Sequence, residues 1–97
     1  MKKISVIVNC CNGEKYLDQC LRSILNQRYQ NFEIIFFDNF STDRSKNIAK
    51  DFKDKRIKLF SSEKKLQLYE ARNEAIKKAT GELIAFLDVD DLSLIHI

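Results

Sequence analysis

One short acidic segment, residues 88–91, concentrates carboxylates that could do metal chemistry. Asp88, Asp90 and Asp91 lie so close in sequence that their charges repel unless solvent or a cation compensates them. Carboxylate oxygens are hard donors that favour Mg²⁺ or Mn²⁺ over softer metals. The segment therefore predicts a divalent-metal site with Asp90 and Asp88 as ligands, one bound directly and the other through water or a hydroxyl of the ligand. Acidic pairs are also common in solvated loops, so the position of this one in the fold decides its meaning.

Two further polar segments, residues 9–12 and 38–43, follow apolar runs as the acidic segment does. These runs are short and rich in β-branched and aromatic residues, which is typical of buried strands. Between them, apolar side chains recur at helical spacing. The pattern predicts four strands, at residues 4–8, 32–37, 56–61 and 82–87, and three helices, at residues 14–26, around 48–52 and at 70–79.

Short polar side chains are available to cap the first two helices. Asn12 precedes the first helix, and Ser41 or Thr42 precedes the second, and all three are residue types favoured at helix amino termini. We expect the helices to bury one face each. The predicted inner faces are Ile48, Ala49 and Phe52 in the second helix and Ala71, Ala75, Ile76 and Ala79 in the third.

Strands that alternate with helices predict a parallel sheet covered on both faces, because parallel neighbours need crossover connections. The fold class is α/β, a doubly wound and mostly parallel sheet, with 3-2-1-4 as the usual strand order. Ligands of such sheets bind outside the carboxyl ends of the strands, where the strand order reverses. The three polar segments should therefore meet along one edge of the sheet.

Composition excludes several other classes. The net charge of +3, from 17 basic and 14 acidic residues, is too mild and too evenly spread to indicate nucleic-acid or membrane binding. No apolar segment approaches a membrane span, so we expect a cytoplasmic protein. Three cysteines form neither a disulfide framework nor a zinc spacing. The absence of glycine-rich dinucleotide and P-loop motifs argues against those enzymes.

Seven segments in succession resemble the motifs of family 2 glycosyltransferases. The resemblance begins with the first strand and helix and ends with the acidic segment, in the order and at the spacing of the family. The segments are residues 4–8, 12–17, 23–27, 32–35, 38–43, 71–75 and 80–91. Together they cover nearly all of residues 4–92.

The resemblance implies a GT-A fold and an inverting sugar transfer from a nucleotide-diphosphate sugar, a UDP-sugar being favoured, with Mg²⁺ or Mn²⁺. The acceptor could be a glycan, a lipid or a protein, as in polysaccharide or cell-envelope glycan biosynthesis. By motif, Asp38 and Asn39 should lie against the base and ribose, Asp88 should face the ribose or a metal-bound water, and Asp90 should bind the metal. The other implied nucleotide-sugar-binding residues are Asn9, Cys11, Asn12, Arg72, for which a structural salt bridge is an equal alternative, and Glu14, which also suits a helix dipole.

The chain departs from the family at four places. Asn9 replaces a frequent proline, and Asn39 replaces a second aspartate, although its amide oxygen can still accept a hydrogen bond. Phe40 replaces a glycine, so its backbone either avoids positive φ or is strained. Residues 93–97 do not resemble the family, and we expect a domain at 1–92 with a read-through tail from a truncated gene fragment. The catalytic base is expected in a carboxyl-terminal half, so this chain should bind donor but transfer little sugar alone.

Two alternatives stay open at this stage. A receiver-type signalling module also places acidic residues around Mg²⁺, but it needs an acceptor aspartate after its third strand, where this chain has Phe60, Ser61 and Ser62. A non-catalytic nucleotide-binding fragment is the other alternative. The fragment could also be only marginally folded, because its fourth strand forms an uncovered edge.

Overall fold

The structure of the chain, a computed structural model, describes residues 2–90. Four strands form one parallel sheet in the order β3-β2-β1-β4. This confirms the predicted α/β class and strand order. The elements are β1 (Ile4–Cys11), α1 (Glu14–Leu25), β2 (Phe32–Asp38), α2 (Ser45–Asp51), β3 (Ile57–Ser61), α3 (Leu68–Ile76) and β4 (Leu83–Asp90).

Helices cover both faces of the sheet. Every residue of β2 is buried, because this central strand carries apolar side chains toward both layers. Val8 and Phe36 pack with α1 and α2 on one face, whereas Ile7 and Ile35 pack with α3 on the other. The alternation follows from the two-residue repeat of a strand, and it fixes which polar side chains reach which face at the strand ends.

The two strands beside the switch point are longer than predicted. β1 continues through Cys11 and β4 through Asp90, with Asn9 paired to Asp88 and Cys11 paired to Asp90. Backbone hydrogen bonding between neighbours thus extends the ladder into residues whose side chains are polar. Asp88 and Asp90 consequently belong to an extended strand rather than to a turn that follows it.

The predicted helix boundaries need correction. Neither α1 nor α2 has a side-chain cap: Gly13 is the N-cap of α1 and Arg44 that of α2, so the assignments of Asn12, Ser41 and Thr42 as caps were wrong. Helix α3 begins at Leu68, earlier than predicted, with a capping box in which Gln67 and Glu70 bond each other's backbone. It ends at Ile76, which is 36% exposed rather than inward-facing.

The amino ends of the strands hold a buried carboxylate. Glu33, only 2% exposed, accepts hydrogen bonds from Ser5 Oγ at 2.6 Å, Lys58 Nζ at 2.7 Å and Thr80 N at 2.7 Å. Gly81 N donates to Ser5 Oγ at 2.8 Å, and a Cβ at Gly81 would lie 2.7 Å from the backbone nitrogen of Ser5. Only glycine allows this approach, which anchors the start of β4.

Strand β4 forms one edge of the described sheet. Its side chains Leu83, Ile84 and Phe86 are 42–49% exposed. No helix within residues 2–90 is long and apolar enough to cross a membrane. The predictions for Asp91 and for the tail 93–97 lie outside the described residues.

Candidate functional site

The switch point brings the three polar segments to one edge of the sheet, as predicted. Asn9 lies in register with Asp88, and Cys10 lies in register with Asp38. Because β1 separates β2 from β4, the backbones of Asp38 and Asp90 are roughly 10 Å apart across two strand spacings. The side chain of Asp90 lies outside the described residues.

The side chains of this edge divide between the two faces of the sheet. Asp38 shares the face of Cys10, toward α1 and α2, whereas Asn9 and Asp88 share the face of α3. A ligand that contacts both sets must therefore lie over the ends of the strands. That position is where ligands of doubly wound sheets bind.

A small cavity of about 60 Å³ marks the α3 side of this edge. It brings together four of the predicted site residues, but at this size it has room for water rather than for a nucleotide. Its lining residues are Asn9, Cys10, Cys11, Asn39, Leu68, Asp88 and Val89. A larger groove of about 600 Å³ lies beside Phe60, Leu66 and α3, and none of the predicted site residues with a described side chain lines it.

Asn9 is the polar side chain whose environment most clearly indicates a ligand. It is 4% exposed, and among the described residues, 2–90, neither its buried amide nitrogen nor its buried amide oxygen has a hydrogen-bond partner. A buried polar group left without a partner costs about 1–3 kcal/mol. Asp38 shows the same feature at one oxygen: Oδ2 accepts from Ser41 N at 3.3 Å, and the buried Oδ1 has no partner within the part of the chain that the structure describes.

Arg72 reaches the site through an ion pair with Asp88. Both side chains are about one-third exposed, and the Arg72 guanidinium lies 5.6 Å from the centre of the Phe86 ring. Of the two roles considered for Arg72, the structure shows the salt bridge. Arg72 supplies the counter-charge of Asp88 in this arrangement.

Asn39 uses its side-chain amide to hold the loop between β3 and α3. Its Nδ2 donates to Leu66 O at 2.9 Å, and its Oδ1 accepts from Leu66 N at 2.9 Å and from Ser62 Oγ at 3.4 Å. An aspartate could not donate to the Leu66 carbonyl, which explains why asparagine suits this position. The oxygen expected to meet a nucleobase already has protein partners here.

Asn12 and Glu14 connect two loops of the site edge. Asn12 Oδ1 accepts from Thr42 N at 2.7 Å, and Glu14 Oε2 accepts from Arg44 N at 3.3 Å. Asp43 completes the connection, since its carboxylate accepts from Glu14 N at 3.1 Å and from Ser45 N at 2.9 Å. We call Asn12, Glu14, Asp43 and Ser45 the loop clasp.

Asp43 and Ser45 were not identified as functional from the sequence. Ser45 is fully buried, with its hydroxyl donating to Asp43 Oδ1 at 2.6 Å and accepting from Gly13 N at 2.9 Å. Burial alone would raise the pKa of Asp43, but the bonds from Ser45 and Glu14 outweigh it and lower that pKa. The clasp thus fixes the loops that follow β1 and β2, which carry the predicted nucleotide-binding residues.

The predicted metal site depends on the oxygen donors that the site edge provides. Within the side chains that the structure describes, no group of three or more His, Cys, Asp or Glu residues could hold an ion. Asp88 provides a carboxylate at the site, and the unpartnered Oδ1 of Asn9 is a second hard oxygen beside it in register. These donors are of the chemical type that Mg²⁺ or Mn²⁺ prefers.

Comparison with solved structures finds the same fold in sugar-nucleotide complexes. S. aureus TarS 1–349 in complex with UDP-GlcNAc matches with a TM-score of 0.80 and 34% identity, over 89% of this chain and 26% of that one. The mannosyltransferase PcManGT from Pyrobaculum calidifontis, in complex with GDP-Man and Mn²⁺, matches with a TM-score of 0.81 and 26% identity, over 92% and 28%.

Sequence comparison gives the family. An uncharacterized glycosyltransferase of Haemophilus influenzae is 46% identical over 93 residues, which cover 94% of this chain and 37% of that relative. The chain thus spans little more than a third of this relative's length. The model of the glycosyl transferase family 2 matches residues 5–95. With the parallel sheet, its order and the polar edge described above, the chain belongs to glycosyl transferase family 2.

Proposed function

We propose that this chain is the donor-binding part of a glycosyltransferase that transfers sugar, with inversion, from a nucleotide-diphosphate sugar to a glycan, lipid or protein acceptor. The observation that carries the proposal is the buried, unpartnered amide of Asn9 beside Asp88, at the point where the strand order reverses. A UDP-sugar is the favoured donor, supported by the likeness to TarS in complex with UDP-GlcNAc.

The proposed roles follow the two faces of the edge. Asp38, with one unpartnered oxygen, binds the base or ribose from the α1 and α2 side. Asn9 and Cys11 line the floor on the α3 side, and Arg72 approaches the phosphates. Asn39 acts mainly by holding the loop of Leu66 in place.

A divalent ion, Mg²⁺ or Mn²⁺, would be held by Asp88 and Asp90. When bound, such an ion supplies positive charge against the diphosphate. Asp88 would then lie between two cations, the ion and the guanidinium of Arg72, with which it is paired here.

Calorimetric titration of the chain with UDP and Mn²⁺ tests the proposal. We expect saturable binding that weakens when Mn²⁺ is omitted and is weaker for uridine, which lacks the diphosphate. Asp54→Asn is a matched control, because Asp54 pairs with Arg56 away from the site. Absence of saturable heat with UDP, GDP and other nucleotide diphosphates, from a chain whose circular dichroism shows it folded, would refute donor binding.

A further inference from the structure

The three cysteines of the chain occupy very different environments. Cys10 and Cys20 are 1% and 0% exposed, and burial raises the pKa of Cys10 to about 11 and that of Cys20 to about 12. Cys11 is partly exposed and lies at the end of β1 on the site edge. Buried thiols are inert toward external reagents, whereas an accessible thiol is open to them.

Cys11 also lies where a ligand is indicated independently. It lines the 60 Å³ cavity together with Asn9 and Asp88, and by strand alternation it shares the face of Asn9. Asn9 is 4% exposed, and both of its amide atoms lack a partner among the described residues, so a polar ligand group in this cavity would find both a donor and an acceptor. A substituent on the Cys11 sulfur would therefore occupy space that a ligand of Asn9 requires.

A lysine side chain contacts the sulfur of Cys11. Lys65, an exposed residue of the loop between β3 and α3, places its Nζ 2.5 Å from Cys11 Sγ. The loop is held in this position by the paired hydrogen bonds between Asn39 and Leu66. The ammonium group gives an anionic reagent a favourable partner beside the sulfur.

We infer that Cys11 is a thiol-modification site that takes small anionic disulfides and thereby switches donor binding off. The inference rests on the proposed function. In the reaction the Cys11 sulfur forms a bond to one sulfur of the disulfide, the original sulfur–sulfur bond breaks, and the departing thiolate takes the proton that Cys11 gives up. A dithiol reductant reverses the exchange.

Treatment of the folded chain with glutathione disulfide, followed by intact and peptide mass spectrometry, tests the site. We expect a single adduct on Cys11 while Cys10 and Cys20 stay reduced, and no adduct on Cys11→Ser. Lys65→Gln should slow the reaction with this anionic disulfide but not with the cationic disulfide cystamine. Saturating UDP with Mn²⁺ should protect Cys11. Adducts on Cys10 or Cys20 formed as fast as on Cys11 would overturn the inference.

Titration of the purified adduct with UDP and Mn²⁺ tests the switch. We expect the affinity to fall at least about tenfold, equivalent to 1.4 kcal/mol, and to recover after treatment with dithiothreitol. An adduct that binds UDP as tightly as the untreated chain would overturn the inference while leaving the proposed function intact. If the untreated chain itself does not bind UDP, the proposed function and the switch fail together, and the order of thiol reactivity still decides whether Cys11 is the modified residue.

Discussion

Ser5 and Asn9 occupy the two ends of one strand and differ in a way that separates stability from function. Both lie on the α3 face of β1, and both are buried, at 0% and 4% exposure. Ser5 Oγ donates to Glu33 and accepts from Gly81 N, whereas neither amide atom of Asn9 has a partner in the described range 2–90. The two side chains are equally buried, but only the hydrogen-bonding groups of Ser5 are satisfied within the fold, which supports the proposal that Asn9 meets a ligand.

The same contrast extends across the sheet. We call Ser5, Glu33, Lys58 and Thr80 the amino-edge cluster; its central carboxylate has three different side-chain or backbone donors within 2.7 Å. At the carboxyl edge, Asp38 and Asn9 have buried polar atoms for which the described side chains and backbone supply no partner. Unsatisfied buried groups in a native structure need an explanation, and binding sites commonly trade stability for such groups.

The largest expected effect is loss of the amino-edge carboxylate. Glu33→Ala leaves Ser5 Oγ and Thr80 N without their acceptor in the interior, and breaking a buried charged pair costs about 3–5 kcal/mol. We expect a loss of this size in the free energy of unfolding by urea, followed by circular dichroism. Nucleotide affinity measured under conditions where the variant is folded should change little. A variant as stable as the parent would remove the distinction between the two edges.

Acid should weaken the same cluster. Burial by itself raises the pKa of Glu33, but hydrogen bonds from Lys58, Ser5 and Thr80 outweigh it and lower the pKa from 4.5 to about 2. A depressed folded-state pKa stabilises the fold above the unfolded value, and this contribution, about 3 kcal/mol, is lost as pH falls from about 4.5 toward 2.

Urea unfolding measured across this pH range should therefore show a steep loss of stability in the parent chain and a flatter curve in Glu33→Gln. Asp54→Asn is the matched control, because Asp54 also has a lowered pKa but belongs to a partly exposed pair with Arg56. Its curve should stay close to that of the parent, since such pairs contribute little. Equal flattening in both variants would contradict a special role for Glu33.

A smaller effect of opposite sign is expected at the carboxyl edge. Asn9→Leu removes two unpartnered polar atoms from the interior, so we expect stability to rise by about 1 kcal/mol while UDP affinity falls about tenfold. Ser5→Val is the matched change at the other end of the strand. It should lower stability by about 1–3 kcal/mol and leave UDP affinity of the folded chain unchanged.

Chemical denaturation and calorimetric titration of these two variants would separate the edges. If Asn9→Leu proves as destabilising as Ser5→Val, then Asn9 serves the fold, and its unpartnered amide carries no evidence for a ligand.

Periodicity was sufficient for the fold because alternating strands and helices leave few permitted topologies. The meeting of the three polar segments was predictable from topology, because the carboxyl ends of parallel strands lie at the same edge of a sheet. Glu33 was missed, because it is a single polar residue within an apolar strand and its partner Thr80 is 47 residues away.

Asn12 and Glu14 show the complementary limit of sequence patterns. Both are polar residues beside the site, and the sequence cannot tell whether such residues face a ligand or another loop. Their partners Thr42 and Arg44 lie 30 residues further along the chain. The packing of α1 against α2 brings these residues together, and a local sequence pattern does not contain that information. The predicted binding roles of Asn12 and Glu14 stay predictions, with the loop clasp as their observed role.

The smallest effect concerns backbone strain at the carboxyl edge. Phe40 follows Asn39 at a φ of 55°, which shows the strain considered for this substitution of glycine. A left-handed backbone costs a side-chain-bearing residue about 1–2 kcal/mol, partly offset by the greater chain entropy of glycine when unfolded. Phe40→Gly should therefore raise stability by about 0.5 kcal/mol in urea unfolding.

Lys53→Gly is the matched control, because Lys53 has a φ of 52° in an exposed position away from the site. Its stability should rise by a similar amount, and its UDP affinity should not change. A loss of stability confined to Phe40→Gly would mean that the aromatic ring, 48% exposed, contributes packing that outweighs the strain of its backbone.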